Sequence, residues 1–161
     1  MISRCILVVI ICLFAWGPSL AQQKHAPVPI RVVRFHPQPI VEGTLNGKKA
    51  YFLVDTGATI SLLDLSVKKK YRFQASYESS NCAIARGIGG AASMTKVYRV
   101  DMSLGTLPIE TKFYGMDLAH ISAHIMQDTG IEIAGVIGTD LMKRYGFNLD
   151  FFQKQMTISR L

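Results

Sequence analysis

Cysteine is scarce in this chain, with three in 161 residues. Cys5 and Cys12 both stand in the apolar opening "MISRCILVVIICLFAWGPSLAQQ", so only Cys82 remains downstream. That part can form no disulfide of its own, which excludes a small stapled extracellular domain. Asn-X-Ser/Thr acceptors for N-glycosylation are absent. Long apolar runs are missing too: Cys5 to Trp16 is shorter than the ~20 residues a membrane-spanning helix needs. Charged residues make up 18% of the chain and are scattered, Lys68-Lys69-Lys70 with Arg72 being the one dense run. The formal charge of +7 could serve an anionic partner. No base-stacking motif or recognition-helix signature accompanies it, so a solvated face is expected and nucleic acid is not an expected partner.

What is present begins with a leader. Arg4, the run to Trp16, Pro18 and the small residues of "SLA" have the layout of a secretory signal peptide over residues 1–21. An uncleaved anchor is the rival reading. Cleavage after Ala21 leaves 161 − 21 = 140 residues, enough for one core and too few for two full lobes. The expected organisation is a flexible leader over 22–29 and one domain over 30–161. The expected location is periplasmic or secreted, with no stable membrane span after cleavage.

The remainder reads as mainly β. "IRVVRF" suggests a first strand. "IVEGTL" and "KKAYFLV" flank Asn46-Gly47, the strongest short hairpin signal because both residues tolerate positive φ. "ISLLDLSVKKKYRF" starts strand-like and ends in a helical turn. Alternation around Gly87-Ile88-Gly89-Gly90 predicts a long hairpin, with a second turn near Gly105. "AHISAHIMQD" has helical spacing or is irregular. "AGVIG" is a short strand, "TDLMKRYG" a helix ending at Gly146, and "FNLDFFQKQMTISRL" a last hairpin.

Two stretches carry the triplet Asp-Thr-Gly: Asp55-Thr56-Gly57 and Asp128-Thr129-Gly130. Hydrolysing a peptide without metal or covalent nucleophile calls for an activated water. Two facing carboxylates can supply it, since held close they cannot both ionise and so share a proton. The ionised member takes a proton from water and the protonated one donates to the carbonyl. Such an aspartate needs a rigid turn, which Thr can lock by its hydroxyl and Gly can tighten. "AYFLV" before Asp55 and "ATIS" after it meet these demands. "HIMQ" before Asp128 lacks strand alternation, and too little chain follows for a second half-site. Asp128 is therefore expected in a surface turn or loop.

"LVDTGATIS", the "GIGG" hairpin and "AGVIGTDLMKRYGFNLDFFQKQMTI" together resemble the retropepsin-like aspartic proteases, a group including the retroviral proteases and exported bacterial members. The resemblance spans about residues 30–161. It implies a single-lobe closed β-barrel with a flap hairpin and one short C-terminal helix. It implies that Asp55 is the catalytic carboxylate, with Thr56 and Gly57 as its turn. Ala58, Gly87, Ile88, Gly89, Gly90 and Ile137 would contact substrate, the glycines as a flap tip. Val136 to Gly138 would pack behind the loop, with Asp140 and Leu141 opening the helix. One chain gives one aspartate in this group, so a homodimer would complete the site on a peptide or protein substrate, with no cofactor and no metal. Thr59 and Thr139 stand where retroviral members carry an acidic and a basic residue. That departure puts the retroviral mode of pairing in question.

Other signals point less sharply. His120 and His124 are four apart, but Ile121 stands where a zinc protease places its base, and no third ligand is evident. Cys82 in "SSNCAIA" has no motif around it and reads as a simple thiol. "GIGG" lacks the Lys-Ser/Thr of a phosphate loop. Tyr98, Phe113, Tyr114, Phe147, Phe151 and Phe152 suit core or dimer packing. An aspartic endopeptidase is the leading reading. A peptide-binding module of the same fold, and a metal-binding envelope protein through the two histidines, are the alternatives.

Overall fold

The computed structural model describes residues 26–76, 82–87 and 90–159. Its centre is the hairpin of β3 (Ile40–Leu45) and β4 (Lys48–Val54), in register from Ile40↔Leu53 to Leu45↔Lys48. Asn46 and Gly47 both take positive φ, 51° and 74°, the conformation that a two-residue turn between twisted strands requires. Asn46 also ties this turn to its neighbours. Its amide donates to the carbonyls of Tyr71 and Arg99, both at 2.8 Å, and its Oδ1 accepts from the Asp101 N–H at 2.7 Å.

The last residues of β4 are buried on both faces. Phe52 and Val54 join the main core, whereas Leu53, with Tyr51, packs into a second apolar cluster. Between β4 and β5 (Leu62–Asp64) lies β12 (Gly135–Ile137), parallel to β4 and antiparallel to β5. All three residues of β12 are buried, and the Asp55 loop bridges the strands on either side of it.

The sheet extends from β5 to β11 (Tyr114–Met116), then to β8 (Gly90–Tyr98), which pairs with β7 (Cys82–Gly87) and with β6 (Gln74–Ala75). On the other side β3 pairs with β2 (Val32–Arg34) and with β9 (Met102–Leu104), which carries β10 (Leu107–Pro108). Among the described residues this path is open, from β10 to β6, so they do not form the expected closed barrel. Both ends are two-residue strands and β10 ends on a proline, which cannot donate to a further ladder. A separate sheet joins β1 (Val28–Ile30), β14 (Gln155–Ile158) and β13 (Phe147–Asp150) in the order β1-β14-β13. "IRVVRF" is therefore not one strand. Ile30 and Val32 belong to strands of different sheets, and Val28 and Pro29 of the expected leader are part of β1.

Three helices are described rather than one: α1 (Lys68–Tyr71), α2 (Ala119–Thr129) and α3 (Thr139–Arg144). α2 lies over the second cluster through Leu118 and Ile125. Its start is tied to β5 by Asp64, which is fully buried. Asp64 Oδ1 accepts from Ser66 N–H at 2.9 Å and Leu118 N–H at 3.2 Å. Among the described residues no helix is long and apolar enough to cross a membrane.

Candidate active site

β4 delivers Asp55 directly into a loop that returns to the sheet at Leu62. Tyr51 and Leu53 share one face of β4, against which Ala58 also packs, and Asp55 follows directly at the strand's end. The loop is held from behind by the chain around β12. Asp55 N–H donates to the Ile137 carbonyl at 3.0 Å, and Thr139 N–H donates to the Ala58 carbonyl at 2.8 Å. Gly138 makes the close approach possible, because a Cβ there would stand 2.8 Å from the Ala58 oxygen and from the Ile60 carbonyl carbon.

Ser61 and Asp140 complete this frame. Asp140 Oδ1 accepts from both Ser61 N–H, at 2.9 Å, and Ser61 Oγ–H, at 2.6 Å. Ser61 Oγ in turn accepts from the buried Gly138 N–H at 2.8 Å. One hydroxyl thus links the loop to the start of α3. Neither residue was given this role from sequence. The two are 79 positions apart, and a serine six residues after an aspartate carries no local signature.

Within the loop, Asp55 Oδ1 accepts from Gly57 N–H at 2.8 Å, and Ala58 N–H closes a turn on the Asp55 carbonyl at 3.1 Å. Asp55 is half-buried, while Thr56 and Gly57 are exposed. The Thr56 hydroxyl has no hydrogen bond among the described residues, so it does not lock this turn within one chain as expected. The Gly57 amide does so instead. Ile137, expected among the substrate contacts, has its side chain buried in the main core, and it serves the loop through its backbone carbonyl. Gly87 and Gly90 pair at the tip of the β7–β8 hairpin. Ile88 and Gly89 lie outside the described residues.

The second triplet is the end of a helix. Asp128 and Thr129 occupy the last turn of α2, not a loop. Gly130 is its left-handed cap, with φ 71° and its N–H on the Met126 carbonyl at 2.8 Å. Thr129 Oγ donates to the Ile125 carbonyl and accepts from Ile131 N–H, which turns the chain toward β12. Exposed Asp128 faces His124 at 3.5 Å, one helical turn back. His120 and His124 belong to no cluster of three metal-ligating side chains among the described residues. Of the aromatic residues, Phe113 is buried. Phe151 meets Phe35 edge-on at 5.7 Å, and Phe152, 96% exposed, stands free at the β13–β14 turn.

A family model described as aspartyl protease matches residues 41–141, more than half of the chain, and spans the Asp55 loop, the β7–β8 hairpin and β12. The chain is 24% identical over 118 residues to DNA damage-inducible protein 1 of Chaetomium globosum. That stretch covers 73% of this chain and 24% of the relative, so the chain spans about a quarter of the relative's length. Among solved structures it is similar to a retropepsin-like aspartic protease from Rickettsia conorii. The identity is 17%, with 84% and 91% of the two chains covered and a TM-score of 0.49. It is also similar to the EIAV protease in complex with an inhibitor, at 16% identity, 70% and 92% coverage and a TM-score of 0.48.

Proposed function

The chain belongs to the retropepsin-like aspartyl protease family, and from that premise we propose that it is an aspartic endopeptidase built from two copies of itself. The observation that carries this reading is the Asp55 loop. It is fixed from behind by six hydrogen bonds, those from Asp55 N–H, Thr139 N–H and Oγ–H, Gly138 N–H, Ser61 N–H and Ser61 Oγ–H. Yet Asp55 is the only carboxylate it presents, because Asp140 is engaged by Ser61.

Two chains bring two Asp55 carboxyl groups to one water. The ionised group takes a proton from that water, whose oxygen adds to the peptide carbonyl carbon. The protonated group gives its proton to the carbonyl oxygen. Collapse of the tetrahedral carbon breaks the C–N bond: the departing nitrogen takes the proton that the first carboxyl removed from the water, and the second carboxylate recovers one from the collapsing diol. The exposed Thr56 hydroxyl is free to bond across the pair. The β7–β8 hairpin, in which Gly87 pairs with Gly90, closes over the peptide and excludes bulk water. The sequence of residues 1–21 supports export, so the enzyme acts in the periplasm or outside the cell.

The test is cleavage of a peptide library from acid to neutral pH by the mature chain and by Asp55→Asn. The expected profile is bell-shaped, because one carboxyl must be ionised and the other protonated. The variant should lose activity by on the order of 10³-fold. Cleavage retained in it would end the assignment. A peptide-binding module without turnover is the second reading, favoured by Thr59 and Thr139 in place of a charged pair. A chain that stays strictly monomeric at high concentration would support it.

A further inference from the structure

A cavity of about 450 Å³ opens at the Asp55 end of the β3–β4 ladder, under the last turn of α2. Its apolar floor includes Ile40, Leu53 and Ile125, and Arg34, His124 and Asp128 are the titratable groups of its polar rim, beside Gln38 and Thr129. Ile40 and Leu53 are direct cross-strand partners. Leu53 is two residues before Asp55, hence within about 7 Å of it along the chain. An extended peptide repeats its same-side residues at that spacing, so one bound at Asp55 along the direction of β4 would set a side chain at this cavity.

The rim charges are not equivalent. Asp128 already faces His124. Arg34 donates from Nε to the His36 carbonyl at 2.8 Å, which orients the guanidinium plane. Its two Nη groups have no partner among the described residues. The cavity therefore offers an apolar channel followed by a fork of uncommitted N–H donors, which match a carboxylate bidentately. Arg34 and Ile40 precede residue 41, where the family match begins, and the opposite wall comes from α2.

We propose that this cavity sets the enzyme's specificity, taking a substrate side chain with an aliphatic stem and a terminal carboxylate, glutamate, whose charge Arg34 binds. The second Asp-Thr-Gly triplet then serves the reaction indirectly. Its helix turn forms one wall, and Asp128 holds His124 on the rim. The inference rests on reading Asp55 as the catalytic carboxylate.

Peptides whose central amide is replaced by a reduced –CH2–NH– link separate binding from turnover. Each is amidated at its C-terminus, so that only a side chain offers a carboxylate. Each carries Glu, Gln, Leu or Lys at one of the positions flanking the link. Calorimetry with the wild-type chain should find one position where Glu binds about tenfold tighter than Leu and Lys. Arg34→Met should remove that advantage while leaving the Leu peptide's affinity within about twofold, and Arg34→Lys should keep part of it. Equal binding of the four side chains at every position, no binding, or a Glu preference that persists in Arg34→Met would overturn the proposal. The matching cleavable peptides keep the two readings apart. Asp55-dependent cleavage without an Arg34-dependent preference sinks the cavity assignment alone. An Arg34-dependent preference in binding without cleavage sinks the endopeptidase reading alone.

Discussion

Ser61 holds more of the site together than its size suggests. Its hydroxyl donates to Asp140 and accepts from Gly138 N–H, and both Ser61 and Gly138 are buried. Removing the oxygen leaves the Gly138 amide without an acceptor where a Cβ or a water has little room. A buried amide left unpaired costs about 1–3 kcal/mol. Ser61→Ala should therefore lower unfolding stability by that amount in urea titrations. It should also reduce kcat, because the loop it anchors carries Asp55. A Ser61→Ala variant as stable as wild type would mean that the loop is held by its backbone bonds alone. The residue-level reading from sequence was good where chemistry is local. A strand, an aspartate and a glycine turn stand together in "FLVDTGATIS". It failed where the partner is distant, as for Ser61 and Asp140, or where the side chain points inward, as for Ile137.

At the scale of elements, the hairpin across Asn46-Gly47, the β5-to-α1 passage, α3 and the closing β13–β14 hairpin were legible because each has its own turn or cap residues. α2 was ambiguous, since it buries little beyond Ser122 and carries Ile121 and Met126 into solvent, so its apolar periodicity is weak. Its terminal Asp-Thr-Gly reads as a surface turn or loop because a left-handed glycine cap and a surface turn share the same letters. The insertion of β12 between β4 and β5 pairs residues 83 apart, and no local pattern announces it.

α1 yields a prediction at this scale. Lys70 pairs with Glu132, and this hydrogen bond raises the lysine above its ordinary 10.5. Tyr71, 2% exposed, is pushed above its ordinary 10.0 mainly by burial, and its hydroxyl donates to the Lys49 carbonyl at 3.2 Å. Both groups hold their protons more tightly folded than unfolded. The stability they contribute is complete below about pH 10 and is lost as pH rises through the folded values. The Lys70 part is small because that pair is solvent-exposed. Melting temperatures from pH 8 to 11.5 should fall above about pH 10, and Tyr71→Phe should flatten the fall. A curve unchanged by that substitution would place the alkaline loss elsewhere.

The Asp55 loop presents one carboxylate, and a dyad needs two. If turnover depends on pairing of identical chains, activity per chain must depend on concentration, falling on dilution as the pair dissociates. It must also depend on the quality of the partner. Mixing wild-type chains with a tenfold excess of Asp55→Asn chains leaves about one wild-type chain in eleven with a wild-type partner, so specific activity should drop roughly tenfold. Residual activity at the undiluted level would mean that each chain works alone. It would then have to find its second carboxylate within itself, and the Asp55 loop holds no second acid to supply it. Sedimentation over the same concentrations should give a midpoint that coincides with the loss of activity. A mismatch between the two midpoints would separate association from catalysis, and the binding-module reading would gain what the endopeptidase reading lost.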